Sequence, residues 1–288
     1  MTSPTPRQRI AVIGSGISGL ASSYFLQRAH DVTLFEAGSY LGGHSNTVEI
    51  TLEGKTLAVD TGFLVFNERT YPNLIALLAE LGVASYASDM SFGVAMDDGA
   101  CEWAGTNLNT VFAQRKNLFS PRFWCMLREI LRFNAAAEGN LDIAQRTGVT
   151  LDELLKQGGY GAAFRDMYLL PMAAAIWSSS PQDILQFPAA TFLRFCLNHA
   201  LLQVNDRPQW RTVQGGAREY VKRIAATLPD IRLNTPVTSV QRSASGVLIE
   251  FAGIQKEFDA VVFATHAPDT LRMLHDSKKV KLFALNFL

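Results

Sequence analysis

The sequence predicts an α/β fold in which a doubly wound sheet is interrupted by a mainly helical insertion and then resumed. A run rich in β-branched residues over Arg9–Ile13 predicts a buried strand, and residues 32–36 predict a second one. Between them, apolar residues at helical spacing over 17–27 predict a helix. Because strand, helix and strand follow one another directly, they predict the start of a Rossmann-like sheet.

The rest of the chain changes in character twice. Up to about residue 105 the pattern predicts two hairpins with a helix between them, and from 107 to about 204 helical periods dominate. After that segment, short strands return. The predicted elements are hairpins over 48–59 and 91–103, helices over 71–81, 216–228 and 269–275, and strands over 231–233, 237–242, 247–251 and 260–264. The helical insertion is too structured to be a linker.

Length, composition and charge exclude several classes of protein. A chain of 288 residues is long enough for about two domains, and 48% hydrophobic with 18% charged residues is typical of a globular protein. The formal net charge is zero, which argues against nucleic acid as a partner. The three cysteines, Cys101, Cys125 and Cys196, lie far apart, so neither a disulfide framework nor a zinc site is predicted.

The N-terminal segment could be confused with a secretion signal, because Arg7 and Arg9 precede an apolar run. The three glycines in that run favour a strand, a turn and a helix instead. No other apolar stretch is long enough to cross a bilayer. The unpaired cysteines fit a reducing compartment, so the sequence predicts a cytoplasmic protein.

A glycine motif stands between the first predicted strand and the first predicted helix. Gly14 allows a tight turn, Gly16 lets a diphosphate approach the backbone, and Gly19 lets the helix pack closely on the strand. A diphosphate is then expected at the helix N-terminus, beside Ile17 and Ser18. The alternative is a glycine-rich turn without a ligand, and the surrounding strand and helix favour the nucleotide site.

Glu36 ends the second predicted strand, about 20 residues after the glycine motif, and Ala37 follows it. A carboxylate at this position can accept hydrogen bonds from the ribose hydroxyls of an adenosine. It would repel a 2′-phosphate, so NADP is disfavoured. The alternative is a solvated acid at a strand end. These residues alone do not separate NAD from FAD.

Gly42 and Gly43 follow the acid and are themselves followed by His44. The glycine pair resembles the second half of the long FAD fingerprint, in which a strand, a glycine turn, an acid and Gly-Gly-Arg form one signature. The chain is therefore similar to the amine-oxidase-like FAD-dependent oxidoreductases, a superfamily that includes amine oxidases, phytoene desaturases and protoporphyrinogen oxidase. The match is to a bacterial branch in which Leu-Gly-Gly-His replaces the usual motif.

At His44 the chain departs from the wider superfamily, where an arginine contacts the diphosphate region. Histidine is shorter and is often neutral at pH 7, so it would donate one hydrogen bond rather than supply a permanent charge. Covalent attachment of the flavin to His44 is one alternative, and an ordinary surface-loop histidine is another.

Three further segments extend the resemblance. Gly62 lies in a Val-Asp-Thr-Gly-Phe segment similar to the one beside the flavin ring, and Val237 stands where the superfamily has a valine that pairs with adenine. Ala264 and Thr265 end a strand that resembles the one returning to the cofactor. Each segment alone is equally typical of a buried strand or a turn. Their order along the chain favours the cofactor site.

The resemblance implies a Rossmann-like FAD-binding sheet with an inserted helical substrate domain. We expect residues 7–85 and 207–275 to form the FAD-binding domain, 86–206 the substrate domain, and 276–288 an irregular or truncated tail. Trp177, His199 and Trp210 are candidate pocket residues in or beside the insertion, although core packing is the favoured interpretation. Arg211 and Arg218 could serve an acidic substrate, but surface solvation is favoured.

One segment of the insertion, over 121–133, alternates apolar residues with Arg122, Arg128 and Arg132. Such a pattern is typical either of a helix at a membrane surface or of a domain helix with its apolar face inward. The second interpretation is favoured.

The C-terminal stretch differs from the superfamily, whose chains usually continue and return to the flavin. We interpret the sequence as a fragment, a shifted reading frame or a shortened form. The adenosine and diphosphate sites are then expected to be formed while the ring site is partly open. A chain that stays yellow through gel filtration would contradict this expectation.

The function that the resemblance implies is FAD-dependent transfer of a hydride from a C–N or C–C bond of an organic substrate to flavin. The substrate would be a small amine, isoprenoid or lipid-like molecule. No motif for metal binding, hydrolysis or NTP binding is present, and no catalytic base can be named. The alternatives are an NAD-dependent dehydrogenase and a non-catalytic nucleotide-binding remnant.

Overall fold

A computed structural model describes residues 6–177, 179–203 and 206–275, and the chain divides into two compact units. Of the described residues, the first unit contains 6–66, Tyr71–Ser88 and 211–275. The second contains Asn67–Thr70 and Asp89–Trp210. The interpretation of these units as FAD-binding and substrate domains stays a prediction. The predicted tail, 276–288, lies outside the described residues.

The N-terminal part of the chain supplies most of the strands around the predicted cofactor site. Its elements are β1 (Arg9–Ile13), α1 (Ile17–Leu26), β2 (Asp31–Phe35), β3 (Thr47–Leu52), β4 (Lys55–Asp60), β5 (Phe66–Asn67), α2 (Pro72–Glu80) and β6 (Ser85–Ser88). The first strand, helix and second strand therefore lie where the pattern predicts them, within one residue at each end.

The middle of the chain is helical apart from one hairpin. Its elements are β7 (Gly93–Met96), β8 (Cys101–Ala104), α3 (Leu108–Val111), α4 (Pro121–Ala135), α5 (Ala137–Thr147), α6 (Leu151–Gln157), α7 (Ala162–Phe164), α8 (Leu170–Trp177), α9 (Pro181–Leu185) and α10 (Ala189–Asn198). Short 3₁₀ turns cover Asp97–Gly99 and Arg115–Phe119, and a π turn covers Arg165–Leu169. The helices share a core in which aromatic side chains such as Phe133, Phe164 and Phe192 are fully buried.

The C-terminal part of the described chain returns to strands. Its elements are β9 (Trp210–Val213), α11 (Arg218–Ala225), β10 (Ile231–Arg232), β11 (Val237–Arg242), β12 (Val247–Phe251), β13 (Ile254–Phe258), β14 (Ala260–Phe263) and α12 (Ala267–Met273). No helix in the described ranges is long and apolar enough to cross a membrane.

The sheet that positions the site is parallel, with strand order β10-β2-β1-β14. Ala11 and Val12 on β1 and Leu34 on β2 have no exposed surface, because neighbouring elements cover the sheet. This explains why both strands are nearly continuous apolar runs. The helix α1 joins β1 to β2, as the doubly wound fold requires. The predicted fold class is confirmed.

Not every returning strand joins the parallel sheet. β11, β12 and β13 form a separate antiparallel sheet, and only β10 and β14 extend the first one. The sequence pattern does not predict β13, because Ile254–Phe258 is largely polar and its residues are mostly exposed. Pairing with β12 holds it in the strand conformation.

The hairpin of β3 and β4 turns at Glu53 and Gly54, both with positive φ, as predicted. Its register places the apolar side chains of the two strands opposite one another, on a single face. That face is exposed; its residues are Val48, Ile50, Leu52, Leu57 and Val59.

Candidate functional site

The turn between β1 and α1 is built on glycines that have no room for a side chain. Gly14 has φ +98° and donates its amide to Phe35 O at 2.9 Å. A Cβ on Gly14 would lie 2.7 Å from Ala264 O, and a Cβ on Gly19 would lie 1.8 Å from Gly14 O. Packing alone therefore requires glycine at the first and third positions of the motif.

Gly16 is different, because open space lies in front of it. It precedes α1 as the N-cap residue, and a Cβ there would meet no atom within 4 Å. The first turn of α1, with half-buried Ile17 and exposed Ser18, carries no acidic residue and no side-chain cap. Within the described residues the helix N-terminus thus has no side-chain cap, and the space in front of Gly16 is open, which suits an anion.

Glu36 is held by the glycine turn itself. Its Oε2 accepts hydrogen bonds from the amide of Ser15 at 2.9 Å and from the Ser15 hydroxyl at 2.5 Å. Its Oε1 accepts from the amide of Gly38 at 2.7 Å. Burial raises the pKa of Glu36, but the bonds from Ser15, Gly38 and the Ala37 amide outweigh it and lower the pKa below 4.5. The carboxylate is therefore charged at neutral pH.

The two halves of the predicted fingerprint meet in space. Gly42 donates its amide to Ser15 O at 3.0 Å, and Gly16 and Gly42 form an isolated parallel bridge. Both Gly42 and Gly43 have positive φ, and a Cβ on Gly43 would approach Gly16 Cα to 3.2 Å. Positive φ favours glycine at both positions, and a Cβ on Gly42 would in addition lie 2.7 Å from Ser45 O.

His44 follows directly and is exposed. Its ring lies 5.8 Å from the ring of His266, a residue that the sequence pattern did not indicate. Its backbone carbonyl accepts the amide of Phe63 at 2.9 Å, and a Cβ on Gly62 would lie 2.3 Å from that oxygen. Gly62 therefore allows close approach to the His44 backbone. The approach of Gly62 to the flavin ring stays a prediction.

Buried side chains beneath this loop were missed from the sequence. The Tyr220 hydroxyl donates to Ser45 Oγ at 2.6 Å, and both residues are buried. Asp60 Oδ1 accepts from the Thr47 hydroxyl at 2.5 Å and from the amide of Ala217, just before α11. The sequence signal in this region was the pair Gly215–Gly216 before the predicted helix over 216–228. That signal pointed to no particular side chain.

The remaining predicted residues lie at different distances from the turn. The Ala264 amide donates to Ile13 O at 2.8 Å, and a Cβ on Gly14 would lie 3.2 Å from Thr265 Cγ2, so both residues adjoin the glycine turn. Val237 is the first residue of β11, and it is buried in the core on which this strand packs. It lies two residues after Thr235, whose amide donates to Glu36 O at 2.8 Å.

The aromatic candidates of the insertion pack against their neighbours. The ring of Trp177 lies 4.8 Å from that of Phe195, which stacks on His199 at 4.1 Å. Trp210 is buried. Of the two arginines, Arg211 donates to Ser85 and Arg218 forms an ion pair with Glu49 at 2.7 Å. All five side chains thus have structural contacts, and none of these contacts identifies a substrate pocket.

The geometry fits the adenosine and diphosphate portion of a dinucleotide. A positive helix end faces open space at Gly16, a charged carboxylate stands beside it at Glu36, and no acidic side chain lies in the first turn of α1. The pair Gly42–Gly43 contacts the same turn through the bridge between Gly16 and Gly42.

Comparison with solved structures supports the same fold. Wild-type putrescine oxidase bound to putrescine matches with a TM-score of 0.60 and 23% identity over 91% of this chain and 59% of that chain. Cyclohexylamine oxidase from Brevibacterium oxydans matches with a TM-score of 0.70 and 19% identity, over 93% and 60%. A CLA-producing fatty acid isomerase from P. acnes matches with a TM-score of 0.65 and 19% identity, over 95% and 62%.

The chain spans about three fifths of the length of these solved structures. At this level of identity the likeness shows the fold. Family membership comes from the sequence, since the family described as flavin containing amine oxidoreductase matches residues 17–280, most of the chain. The predicted resemblance is therefore confirmed: the chain belongs to the flavin containing amine oxidoreductases, and its cofactor is FAD.

Proposed function

We propose that this protein is an FAD-dependent oxidoreductase that takes a hydride from a C–N or C–C bond of a small organic substrate. The observation that carries the proposal is the meeting of the Gly14–Gly19 turn, Glu36 and the Gly42–Gly43 pair in one site. When bound, FAD supplies the ring that accepts the electrons. The described residues bind and orient it.

The diphosphate is assigned to the open space before α1. The amides of Ile17 and Ser18 would donate to its oxygens, and the helix dipole would stabilise its charge. Gly43 and His44 would approach from the opposite side. Because Gly16 has no side chain, nothing of its own fills the space that the phosphates need.

Glu36 is assigned to the adenosine ribose. A carboxylate has about four acceptor positions, and donors from Ser15 and Gly38 already use three of them. The Ala37 amide also supports the charged form of this carboxylate, so the fourth position would accept a ribose hydroxyl as that amide gives way. Accepting a second requires the Ser15 hydroxyl to turn away from Glu36.

The other predicted residues complete the proposal. Val237 would adjoin the adenine, while Gly62, Ala264 and Thr265 would lie toward the flavin ring. Putrescine oxidase and cyclohexylamine oxidase suggest an amine substrate, and the fatty acid isomerase suggests a lipid-like one. An isoprenoid substrate is a third option within the superfamily. We place the protein in the cytoplasm, in line with its three free cysteines.

The first test is an absorbance spectrum of the purified chain, with and without added FAD, followed by identification of the cofactor that denaturation releases. We expect a flavin band once FAD is added, and FAD as the cofactor that denaturation releases. Bound NADH without flavin would instead support a nicotinamide dehydrogenase. If FAD is bound but no tested amine, isoprenoid or lipid reduces it under anaerobic conditions, the result would support the non-catalytic alternative.

A further inference from the structure

The surface of the second unit around the start of α4 exposes large apolar side chains. Phe119 is 87% exposed and Leu108 is 77% exposed. On α4, Trp124 is 50% exposed and Leu131 is 58% exposed, and their spacing of seven residues places them on one face. Clustered apolar exposure of this kind marks an interaction surface.

These side chains belong to one connected region. The Trp124 indole donates to Leu118 O at 2.9 Å, which fixes the ring beside the turn that carries Phe119. The Phe112 ring, at the end of α3, lies 5.2 Å from the Trp124 ring. Arg115 donates to Asn109, next to Leu108, at 3.3 Å. The Trp124 ring is therefore tied to the turn that carries Phe119, and Arg115 in that turn contacts the residue after Leu108.

Cations surround the apolar groups. Lys116, Arg122 and Arg128 are exposed, and none of them has an ion pair or a side-chain hydrogen bond within the described residues. Between positions 105 and 137 the only acidic residue is Glu129. It is buried, where it accepts the amide of Gly161 at 3.1 Å. Residues 105–137 thus give this surface a basic character on a chain of zero net charge.

We propose that this surface binds a bilayer that contains anionic phospholipids. We call it the basic apolar patch: Leu108, Phe119, Trp124 and Leu131 with Lys116, Arg122 and Arg128. Exposed Phe, Trp and Leu side chains beside Lys and Arg are the composition of an interfacial membrane segment. The cations would contact lipid headgroups while the apolar side chains enter the boundary with the acyl chains.

Charge favours a bilayer over a second copy of the chain. A two-fold contact of the patch with itself would bring its cations against the same cations of the partner. The sequence pattern favours an inward apolar face for α4 that includes Phe123, Trp124 and Leu131. Phe123 is buried, as are Met126 and Phe133, but Trp124 and Leu131 are exposed. The opposite face, with Trp124, Arg128 and Leu131, carries the proposed contact.

The test is flotation of the purified full chain with vesicles. We expect binding to phosphatidylcholine vesicles that contain about a third phosphatidylglycerol, little binding to phosphatidylcholine alone, and weaker binding at high salt. The triple variant Lys116→Gln/Arg122→Gln/Arg128→Gln should lose about fivefold in affinity per cation. The variant Leu108→Ser/Phe119→Ser should lose at least about tenfold.

Two matched controls come from exposed positions elsewhere. Lys55→Gln/Arg194→Gln/Arg242→Gln removes the same number of cations of the same types. Leu52→Ser/Ile254→Ser removes two apolar side chains that are 61% and 57% exposed. Both controls should bind vesicles like the unmodified chain.

The proposal is overturned by failure to bind the anionic vesicles, or by losses of equal size in the control variants. It is also overturned if the Leu108→Ser/Phe119→Ser variant dissociates a dimer in light scattering without changing vesicle binding, because the patch would then join copies of the chain. Circular dichroism of each variant verifies that its fold is kept. None of these outcomes depends on FAD binding.

Discussion

Glu36 and Ser15 are joined by two hydrogen bonds, from the amide and from the hydroxyl of Ser15, to one oxygen of the carboxylate. The contact links the end of β2 to the glycine turn before α1. It fixes the carboxylate in position and keeps it charged before any ligand arrives. Such preorganisation reduces the ordering cost of binding.

The first prediction concerns the role of Glu36 in cofactor affinity. Glu36→Gln removes a charged acceptor, so we expect FAD to bind at least about tenfold more weakly, by the usual value of a hydrogen bond to a charged group. Quenching of flavin fluorescence measures the dissociation constant. Glu53→Gln, the same change in the exposed turn between β3 and β4, should leave it unchanged. Equal affinity in the Glu36 variant would refute the assignment.

A second prediction follows from the lowered pKa of Glu36. A carboxyl group whose pKa is lower in the folded than in the unfolded state stabilises the fold fully above the unfolded value, about 4.5. That stabilisation is lost as the pH falls through the lower, folded value. Urea unfolding without ligand should therefore show a smaller loss of stability between pH 7 and pH 3 in Glu36→Gln than in the unmodified chain. Identical losses would contradict the shift.

A third prediction separates the glycines that serve packing from the one that serves the ligand. Gly19→Ala places a Cβ 1.8 Å from Gly14 O, so we expect a loss of about 3 kcal/mol or more in unfolding free energy. Gly16→Ala meets no atom within 4 Å and should cost less than about 1 kcal/mol.

The same pair of variants tests where the cofactor lies. Gly16→Ala should fold yet bind FAD at least about tenfold more weakly, because its methyl group enters the space assigned to the diphosphate. Calorimetric melting and flavin titration measure the two effects separately. Unchanged affinity in Gly16→Ala would place the diphosphate elsewhere.

Local periodicity was enough to predict the α/β class, β1, α1 and β2, because buried strands and helices have repeating apolar patterns. The motif residues Gly14, Gly16 and Glu36 were found because their spacing along the chain is short. β13 could not be predicted, since pairing with β12 and not its own residues makes it a strand. Ser45 and Tyr220 lie far apart in the sequence, and no pattern in one chain reveals that they touch.

The last prediction concerns that buried contact. Tyr220→Phe leaves the Ser45 hydroxyl without its partner in a buried position, which we expect to cost about 1–2 kcal/mol in unfolding free energy. Because the Ser45 amide donates to Gly42 O at 2.9 Å, the change should also weaken FAD binding a few-fold. Denaturant unfolding and flavin titration measure the two effects.

A double-mutant cycle isolates the hydrogen bond. Removing both partners in Ser45→Ala/Tyr220→Phe leaves no unpaired hydroxyl, so the double variant should lose less stability than the sum of the two single variants, by about 1 kcal/mol. If the losses simply add, Tyr220 stabilises this loop by packing alone. The cofactor loop would then owe its position to the glycine contacts at Gly16 and Gly42 rather than to the buried hydroxyl pair.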